Sequence, residues 1–452
     1  MKLVYDRGTL LLIDAPQGFR PPPYFRFDRR VGAYRALAKD YARALNDLPD
    51  VEDHVLREPE CSWGDVEIPL RPYQREALEA WLEAGCRGVV VLPTGAGKTR
   101  VALAAMAELR CPTLVVAPTL ELVDQWVARV KRLLGVEPGE FTGESKEISC
   151  VTVSTYSSAY LNAETLGNRF RLVVFDEVHH LPSPAYRQIA ELCAAPYRLG
   201  LTATPEREDE LHGLLPELVG PVVYRLSPGD LRGAYLADFD VVRVAVDMTE
   251  EERRKYETLV RRYKRYLSRA GIVLRSVRDF EKLVMRSGLD PEAREALLAW
   301  MEARRIAFSS RAKLERLREI LEKHRGDRII IFTESNELVR EISKRFLVPE
   351  ITYKTPKEER RTIMEMFRRG EVRAIVTSHV LEEGVDVPEA NVAIVISGTG
   401  SRREFVQRLG RILRPREGKR AILYEMVTRG TSEIHVSRRR RRGLRKPRQS
   451  KK

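Results

Sequence analysis

Two series of short apolar runs, each separated by helix-length segments, constrain the fold of this chain more than any other feature. The first comprises residues 89–92, 113–117, 151–154, 172–175 and 197–202; the second comprises 328–332, 374–377, 392–396 and 421–425. Unbroken runs rich in Val, Ile and Leu suit strands covered on both faces, and strands alternating with helices pack into a parallel sheet. The expected class is α/β, with two such domains. At 452 residues the length suits about three units.

The expected boundaries are a small accessory domain over 1–60, a first sheet domain over 61–226, a second over 227–436, and a tail over 437–452. Within 1–60, Pro21-Pro22-Pro23 separates a strand-like start from a helical stretch predicted over 31–48. Ser227-Pro228-Gly229-Asp230 reads as a linker. Residues 250–305 are charged and helical without strand punctuation, which marks an inserted helical element. In it Tyr256, Leu259, Tyr263 and Leu267 share a helical face, crowded by Arg253, Arg254, Arg261 and Arg262. That pattern suits a grip on a nucleic-acid backbone or a packed face beside a solvated one; the sequence leaves both open.

Charge narrows the partners. The formal net charge is +14, but ten Lys or Arg crowd the last fifteen residues, so the folded body carries only about +4. A basic groove would have to be local, and the tail would hold phosphates or aid solubility. Five cysteines without C-x-x-C spacing argue against a zinc or iron–sulfur site. No segment has the length of a signal peptide or a membrane span, so the expectation is a soluble, cytoplasmic protein. Asn and Gln total eleven against 32% charged residues, a balance found in hyperthermophile proteins.

Chemistry is carried first by Pro93-Thr94-Gly95-Ala96-Gly97-Lys98-Thr99, placed between the strand ending at Leu92 and a helix predicted over 99–109. A strand, a glycine turn and a helix opening on Lys-Thr form a phosphate cradle: Thr94, Gly95, Ala96 and Gly97 offer backbone N–H groups, Lys98 reaches the outer phosphates, and the Thr99 hydroxyl ligates a metal ion. Leu92 stands where the strict pattern has glycine. After the apolar run 172–175 comes Asp176-Glu177-Val178-His179. Asp176 can hold the same ion, and Glu177 can orient or deprotonate a water. ATP with Mg2+ is the expected cofactor pair.

In the second series, Gln407-Arg408-Leu409-Gly410-Arg411-Ile412-Leu413-Arg414 places Arg411 and Arg414 three apart on one helical face. Guanidinium groups supplied from an opposing domain stabilise a transferring phosphoryl group, which would tie hydrolysis to domain closure.

These motifs resemble a superfamily 2 helicase motor over about residues 70–435, with two tandem RecA-like domains. The segment Leu70-Arg71-Pro72-Tyr73-Gln74 is similar to the family's adenine-reading element, which implies that role for Gln74. Val116-Ala117-Pro118-Thr119 and Val153-Ser154-Thr155-Tyr156 resemble strand-end loops that meet nucleic-acid phosphates. Leu201-Thr202-Ala203-Thr204-Pro205 resembles the segment coupling hydrolysis to movement. Thr333, Thr377, and Glu383-Gly384-Val385-Asp386 lie in second-domain motifs; the resemblance gives Thr333 and Thr377 to nucleic acid and Gly384 and Asp386 to nucleotide, and Gln407 joins Arg411 and Arg414. Within the superfamily the chain is most similar to the xeroderma pigmentosum group B helicases of short archaeal type. Arg207-Glu208-Asp209 looks like their strand-separating element, and 250–305 looks like their thumb. Phe27-Asp28-Arg29-Arg30-Val31-Gly32-Ala33-Tyr34-Arg35 resembles their N-terminal region, although that region is expected to be too short for a full damage-recognition domain.

The resemblance implies an ATP-dependent DNA helicase or translocase moving 3' to 5', in repair or transcription, with single-stranded or forked DNA as partner and a separately encoded nuclease as a possible second. Two alternatives stand beside it: an ATP-controlled assembly factor that recruits a nuclease, and an RNA helicase. His179, beside Thr202 and Thr204 in this reading, is expected to relay between the phosphate site and the coupling segment.

Overall fold

The computed structural model describes residues 1–452 except 17, 94, 208, 227–237, 275–276, 379–389, 398–419 and 435–452. At the N-terminus β1 (Lys2–Asp6) and β2 (Thr9–Ile13) form a hairpin whose two turn residues, Arg7 and Gly8, both have positive φ, as a two-residue turn matching the strand twist requires. β3 (Arg26–Asp28), β4 (Ala33–Leu37), α1 (Tyr41–Asp47) and β5 (Glu52–His54) complete this layer, in the sheet order β3-β4-β2-β1-β5. The helix expected over 31–48 is therefore only half right. Residues 33–37 pair antiparallel with β2, Thr9 against Leu37 and Leu12 against Tyr34, so the open edge of the hairpin overrides local helical spacing. Leu3, Leu10, Leu12, Ala36 and Tyr41 bury together with Ala194 of the next layer.

The chain divides into two compact units between Leu226 and Ser227. The first continues with α2 (Pro72–Glu83), β6 (Arg87–Val91), α3 (Lys98–Leu109), β7 (Thr113–Ala117), α4 (Leu120–Leu134), β8 (Gly139–Phe141) and β9 (Val151–Thr155). Then come α5 (Tyr156–Leu161), α6 (Ala163–Leu166), β10 (Leu172–Asp176), α7 (Arg187–Glu191), β11 (Tyr197–Thr202), α8 (Leu215–Leu218) and β12 (Val222–Arg225). Its sheet is parallel, in the order β12-β6-β11-β10-β7-β9-β8. Every residue of β7, β9 and β10 is buried, which explains why these strands read as continuous apolar runs. At the rear edge the fully buried Arg198 donates to the carbonyls of Ala195, Leu218 and Cys193, and Trp81 Nε1 donates to the Arg198 carbonyl. These bonds satisfy groups whose burial would otherwise be costly.

Several ties fasten the N-terminal layer to this sheet domain, among them an ion pair between Lys39 and Glu217. Tyr5 Oη donates to the carbonyls of Glu164 and Leu192, and Asn168 Nδ2 donates to the Val55 carbonyl. A disulfide joins Cys61, just past that layer, to Cys150 at the start of β9. Nothing in the cysteine spacing announced this pairing of residues 89 apart.

The second unit holds β13 (Asp238–Val246), α9 (Glu250–Arg269), α10 (Val277–Ser287), α11 (Pro291–Phe308), α12 (Arg311–Lys323), β14 (Ile329–Phe332) and α13 (Asn336–Phe346). It ends with β15 (Glu350–Ile351), α14 (Lys357–Arg369), β16 (Ala374–Thr377), β17 (Val392–Val395) and β18 (Arg420–Thr428). Its parallel sheet runs β13-β18-β17-β14-β16-β15. Thr249 and Glu252 close a capping box at the start of α9, and Asp290 caps α11 through the N–H groups of Glu292 and Ala293. Between α9, α10 and α11, Tyr263, Tyr266, Leu283 and Ala296 are buried with Trp300 packed against them. The tyrosines thus serve packing while most of the neighbouring arginines face outward. Beneath the sheet, buried Lys313 Nζ pairs with Glu433 at 2.7 Å and donates to the Ile396 carbonyl.

Candidate nucleotide site

In a parallel sheet every strand delivers its following loop to the same edge. The registers here set Thr202 opposite Val91, Asp176 opposite Leu201, and Ala117 opposite Thr155. The phosphate loop, the acidic motif, the coupling segment and the strand-end loops therefore share one edge of the first unit's sheet, where ligands of such folds bind.

The loop between β6 and α3 is shaped by Gly95 and Gly97, with φ of +83° and +82°. At Gly97 any side chain would also collide with Gln74 Nε2. Gln74 is buried; its Oε1 accepts from Arg71 N at 2.9 Å and its Nε2 donates to the Ala96 carbonyl at 2.7 Å. Tyr73 Oη donates to the same carbonyl at 2.9 Å. Gln74 is thus a brace of the phosphate loop, and each end of its amide keeps capacity for one further bond. Arg71, Gln74, Gly95, Ala96, Gly97 and Arg100 line a cavity of about 270 Å³ beside it.

Lys98 opens α3 and its Nζ lies 3.5 Å from Glu177 Oε1. Asp176, the last residue of β10, has a donor on each carboxylate oxygen: the indole N–H of Trp126 at 2.8 Å on Oδ2, and the backbone N–H of Glu177 at 3.0 Å on Oδ1. Tyr156 Oη donates to the Asp176 carbonyl at 3.1 Å. Burial and then the neighbouring charge of Glu177 push the Asp176 carboxyl above its ordinary range; the Trp126 bond and Lys98 oppose this. Glu177 sits in the left-handed region at φ +48°, rare for a residue other than glycine. Thr99 Oγ1 accepts from Arg129 at 3.1 Å. The Thr99 hydroxyl and the Asp176 carboxylate are hard oxygen donors of the kind that suits a small divalent cation completed by phosphate oxygens.

The acidic motif continues into the coupling segment. His179 is fully buried, with Nδ1 3.1 Å from Thr202 Oγ1 and 3.4 Å from Glu177 Oε2. Thr202 Oγ1 accepts from Thr204 N and lies 3.0 Å from the Thr204 carbonyl. Arg207 Nη1 donates to the His179 carbonyl at 2.6 Å, while its other nitrogens make a bidentate pair with Asp209. A chain of contacts thus runs from Glu177 through His179 and Thr202 to Thr204, with Arg207 attached to the same histidine.

Several expected residues face otherwise. Ser154 is buried, its Oγ 2.6 Å from the Phe141 carbonyl; Thr333 Oγ1 is bonded to Ser397 Oγ, and Thr377 Oγ1 to the Ser378 carbonyl. These three side chains, expected to touch nucleic acid, are bonded within their own unit. Thr119 and Thr155 cap α4 and α5, leaving Pro118 and Thr119 half-buried at the loop surface. Thr94, Glu208, Gly384, Asp386, Gln407, Arg411 and Arg414 lie outside the described residues, as do the linker 227–230 and the tail. Sequence reasoning missed Trp126, Arg129 and Tyr156. The signal for Trp126 was its helical spacing with Val123 and Val130, which announces burial but not a polar partner.

Comparison with known proteins adds identity to this geometry. Residues 3–54 match the family model of the xeroderma pigmentosum group B helicase damage recognition domain, 67–207 that of the type III restriction enzyme, res subunit, and 301–446 that of the ERCC3/RAD25/XPB C-terminal helicase. Over 97% of its length the chain is 48% identical to the DNA 3'-5' translocase XPB2 of Sulfurisphaera tokodaii, covering 99% of that protein. The chain belongs to the XPB helicase family. Another XPB relative, the DNA 3'-5' helicase XPB of Mycobacterium tuberculosis, is 36% identical over 89% of the chain and 68% of its own length. The crystal structure of the Pyrococcus furiosus Hef helicase domain aligns with a TM-score of 0.53, covering 81% of this chain and 97% of that one at 20% identity, a likeness of fold. The N-terminal segment, expected to be too short for a full damage-recognition domain, matches the model of that domain over 3–54. Among the described residues no helix is long and apolar enough to cross a membrane.

Proposed function

We propose that this XPB-family enzyme hydrolyses ATP at the C-terminal edge of the first unit's sheet and uses the hydrolysis to move along DNA in the 3' to 5' direction. The observation that carries the reading is the continuous path from Glu177 through His179 to Thr202 and Thr204, which joins the hydrolytic residues to the coupling segment. The direction and the DNA substrate come from the names of relatives, led by one that matches 97% of the chain.

In this mechanism the N–H groups of Gly95 and Gly97 cradle the phosphates, joined by that of Ala96 once it leaves the Pro93 carbonyl, and Lys98 leaves Glu177 to meet the outermost one. Thr99 and Asp176 are the residues that would hold Mg2+, whose positive charge would offset that of the phosphates. Glu177, freed from Lys98, orients the attacking water and takes its proton as the bond from the outer phosphorus to its bridging oxygen breaks. The change at Glu177 reaches His179, which lies within 3.5 Å of both the carboxylate and Thr202. Arg207, bonded to the His179 carbonyl, places the Arg-Glu-Asp element under the same influence. Gln407, Arg411, Arg414, Gly384 and Asp386 enter the proposal through the family motifs alone. Because the strand-end loops carrying Pro118, Thr119, Ser154 and Thr155 would meet phosphates rather than bases, binding is sequence-independent and weakens with salt.

The deciding experiment compares two substrates. ATP-dependent unwinding of a 3'-tailed fork assigns helicase action, and triplex displacement from intact duplex without unwinding assigns duplex translocation. ATP turnover that no DNA raises would remove the proposal. Nothing in the relatives' names supports an RNA helicase or a nuclease-recruiting assembly factor that acts without hydrolysis.

A further inference from the structure

Helix α4 begins at the strand-end loop and runs beneath the nucleotide site. Its sequence dictates the placement: Val123, Trp126, Val130 and Leu134 recur at helical spacing and are buried, Thr119 caps the N-terminus through Leu122 N, and Gly135 closes the C-terminus in the left-handed region. Trp126 and Arg129, three residues apart, lie on neighbouring positions of the helix surface. Trp126 bonds Asp176 Oδ2 at 2.8 Å and Arg129 bonds Thr99 Oγ1 at 3.1 Å. One helix therefore contacts both oxygen groups assigned to the cation, although these come from different elements, one at the end of β10 and the other at the start of α3.

We propose that Trp126 and Arg129 are positioning residues, which fix the Asp176 carboxylate and the Thr99 hydroxyl so that their remaining lone pairs converge on one divalent cation. The inference deepens the nucleotide-site reading and rests on it. Trp126 is fully buried, so its indole N–H requires an acceptor, and a carboxylate supplies a charge-assisted one. With Glu177 N on Oδ1 and Trp126 Nε1 on Oδ2, rotation of the carboxylate about its last bond would break two hydrogen bonds. Gln125 Oε1 accepts from Arg129 Nη2 at 3.3 Å, which orients the guanidinium toward Thr99. Outer partners of this kind typically change metal affinity by about 10- to 100-fold when removed. The same helix starts at Pro118-Thr119, so a force on that loop would be delivered to both metal-holding oxygens.

The test uses the full chain and Mn2+ as the probe, titrated by electron paramagnetic resonance with ADP present. Trp126→Phe keeps an aromatic ring and removes the N–H. It is expected to weaken Mn2+ binding about tenfold or more, to leave metal-free ADP binding unchanged, and to regain ATP turnover in excess Mg2+. Unaltered Mn2+ binding in Trp126→Phe overturns its part of the inference. Arg129→Ala is expected to weaken Mn2+ despite removing a positive charge; equal or tighter binding overturns that part. A wild-type protein with no nucleotide-dependent Mn2+ site would instead overturn the nucleotide-site reading itself. Should Trp126→Phe fail to fold, 15N-indole labelling of the unmodified protein, which has four tryptophans, gives an independent readout. The Trp126 resonance should shift when Mg2+ is added to the ADP complex, and an unmoved resonance overturns the inference.

Discussion

Lys98 Nζ lies 3.5 Å from Glu177 Oε1, joining the phosphate-binding cation to the residue that would activate water, with both side chains largely shielded from solvent. Each neutralises the other until a more negative partner draws Lys98 away. Glu177→Gln should leave ATP binding nearly intact and lower turnover by about 10²- to 10⁴-fold, the scale of a lost general base. Nucleotide binding measured alongside steady-state hydrolysis checks this. A variant that hydrolyses within threefold of wild type would assign the role elsewhere.

Gly97 combines a left-handed backbone with a Cβ position already occupied by Gln74 Nε2. Gly97→Ala should weaken nucleotide binding at least tenfold, because the backbone alone costs about 1–2 kcal/mol and the clash adds to it. Nucleotide titration of the variant against wild type measures the loss, and binding within twofold of wild type would contradict it.

Thr202 Oγ1 lies within hydrogen-bond reach of His179, the Glu177 carboxylate, Thr204 N and the Thr204 carbonyl. Thr202→Val preserves shape and removes all of these contacts, at a cost to stability of about 1–3 kcal/mol. Hydrolysis should persist while the distance moved per ATP falls. Parallel ATPase and triplex-displacement assays measure the ratio, and an unchanged ratio would take His179 and Thr202 out of the coupling path.

The Cys61–Cys150 disulfide closes a loop spanning 89 residues of separation. Cys61→Ser, at the exposed end of the bond, should destabilise the first unit by about 2–4 kcal/mol through the freer unfolded chain. The melting temperature of the variant should match that of reduced wild type. An oxidised wild type that melts with its reduced form would contradict it.

Glu302 ties α11 to α9 through Lys255 at 2.9 Å and to Arg305 at 2.7 Å, and these bonds, Arg305 first, lower its carboxyl to about 2. A carboxyl depressed on folding lends stability above its unfolded value, and that stability is lost as pH falls toward the folded one. The stability gap between wild type and Glu302→Gln should therefore be full near neutrality, no more than about 1 kcal/mol at so accessible a site, and should shrink between about pH 4.5 and pH 2. Denaturant unfolding across that range is the measurement, and a gap that widens in acid would contradict it.

The inner strands of both large sheets were legible because burial on both faces leaves no polar alternation to misread, and residues 113–117, 197–202 and 374–377 fall where the runs predicted them; the edge strands β8, β12, β13 and β15 were not among those runs. The phosphate loop and acidic motif were legible because their spacing is their chemistry. Residues 33–37 were not, since a strand recruited by a hairpin edge carries no local mark of its partner. Ser154, Thr333 and Thr377 stand at strand ends as expected, but sequence does not say toward which side a strand-end hydroxyl turns. Trp126 illustrates the same limit: its helical spacing announces a buried indole, and only the fold supplies the carboxylate that indole meets.

The Tyr5 hydroxyl bridges two carbonyls of the first sheet domain, and a side chain at Gly167 would strike both that hydroxyl and the Leu192 carbonyl. The joint between the N-terminal layer and the catalytic layer is thus a tight seam rather than a tether. A larger residue at 167 would force the two layers apart, and exchanging the N-terminal layer for another of the same outline would need a hydroxyl in the place of Tyr5 to satisfy the same two carbonyls.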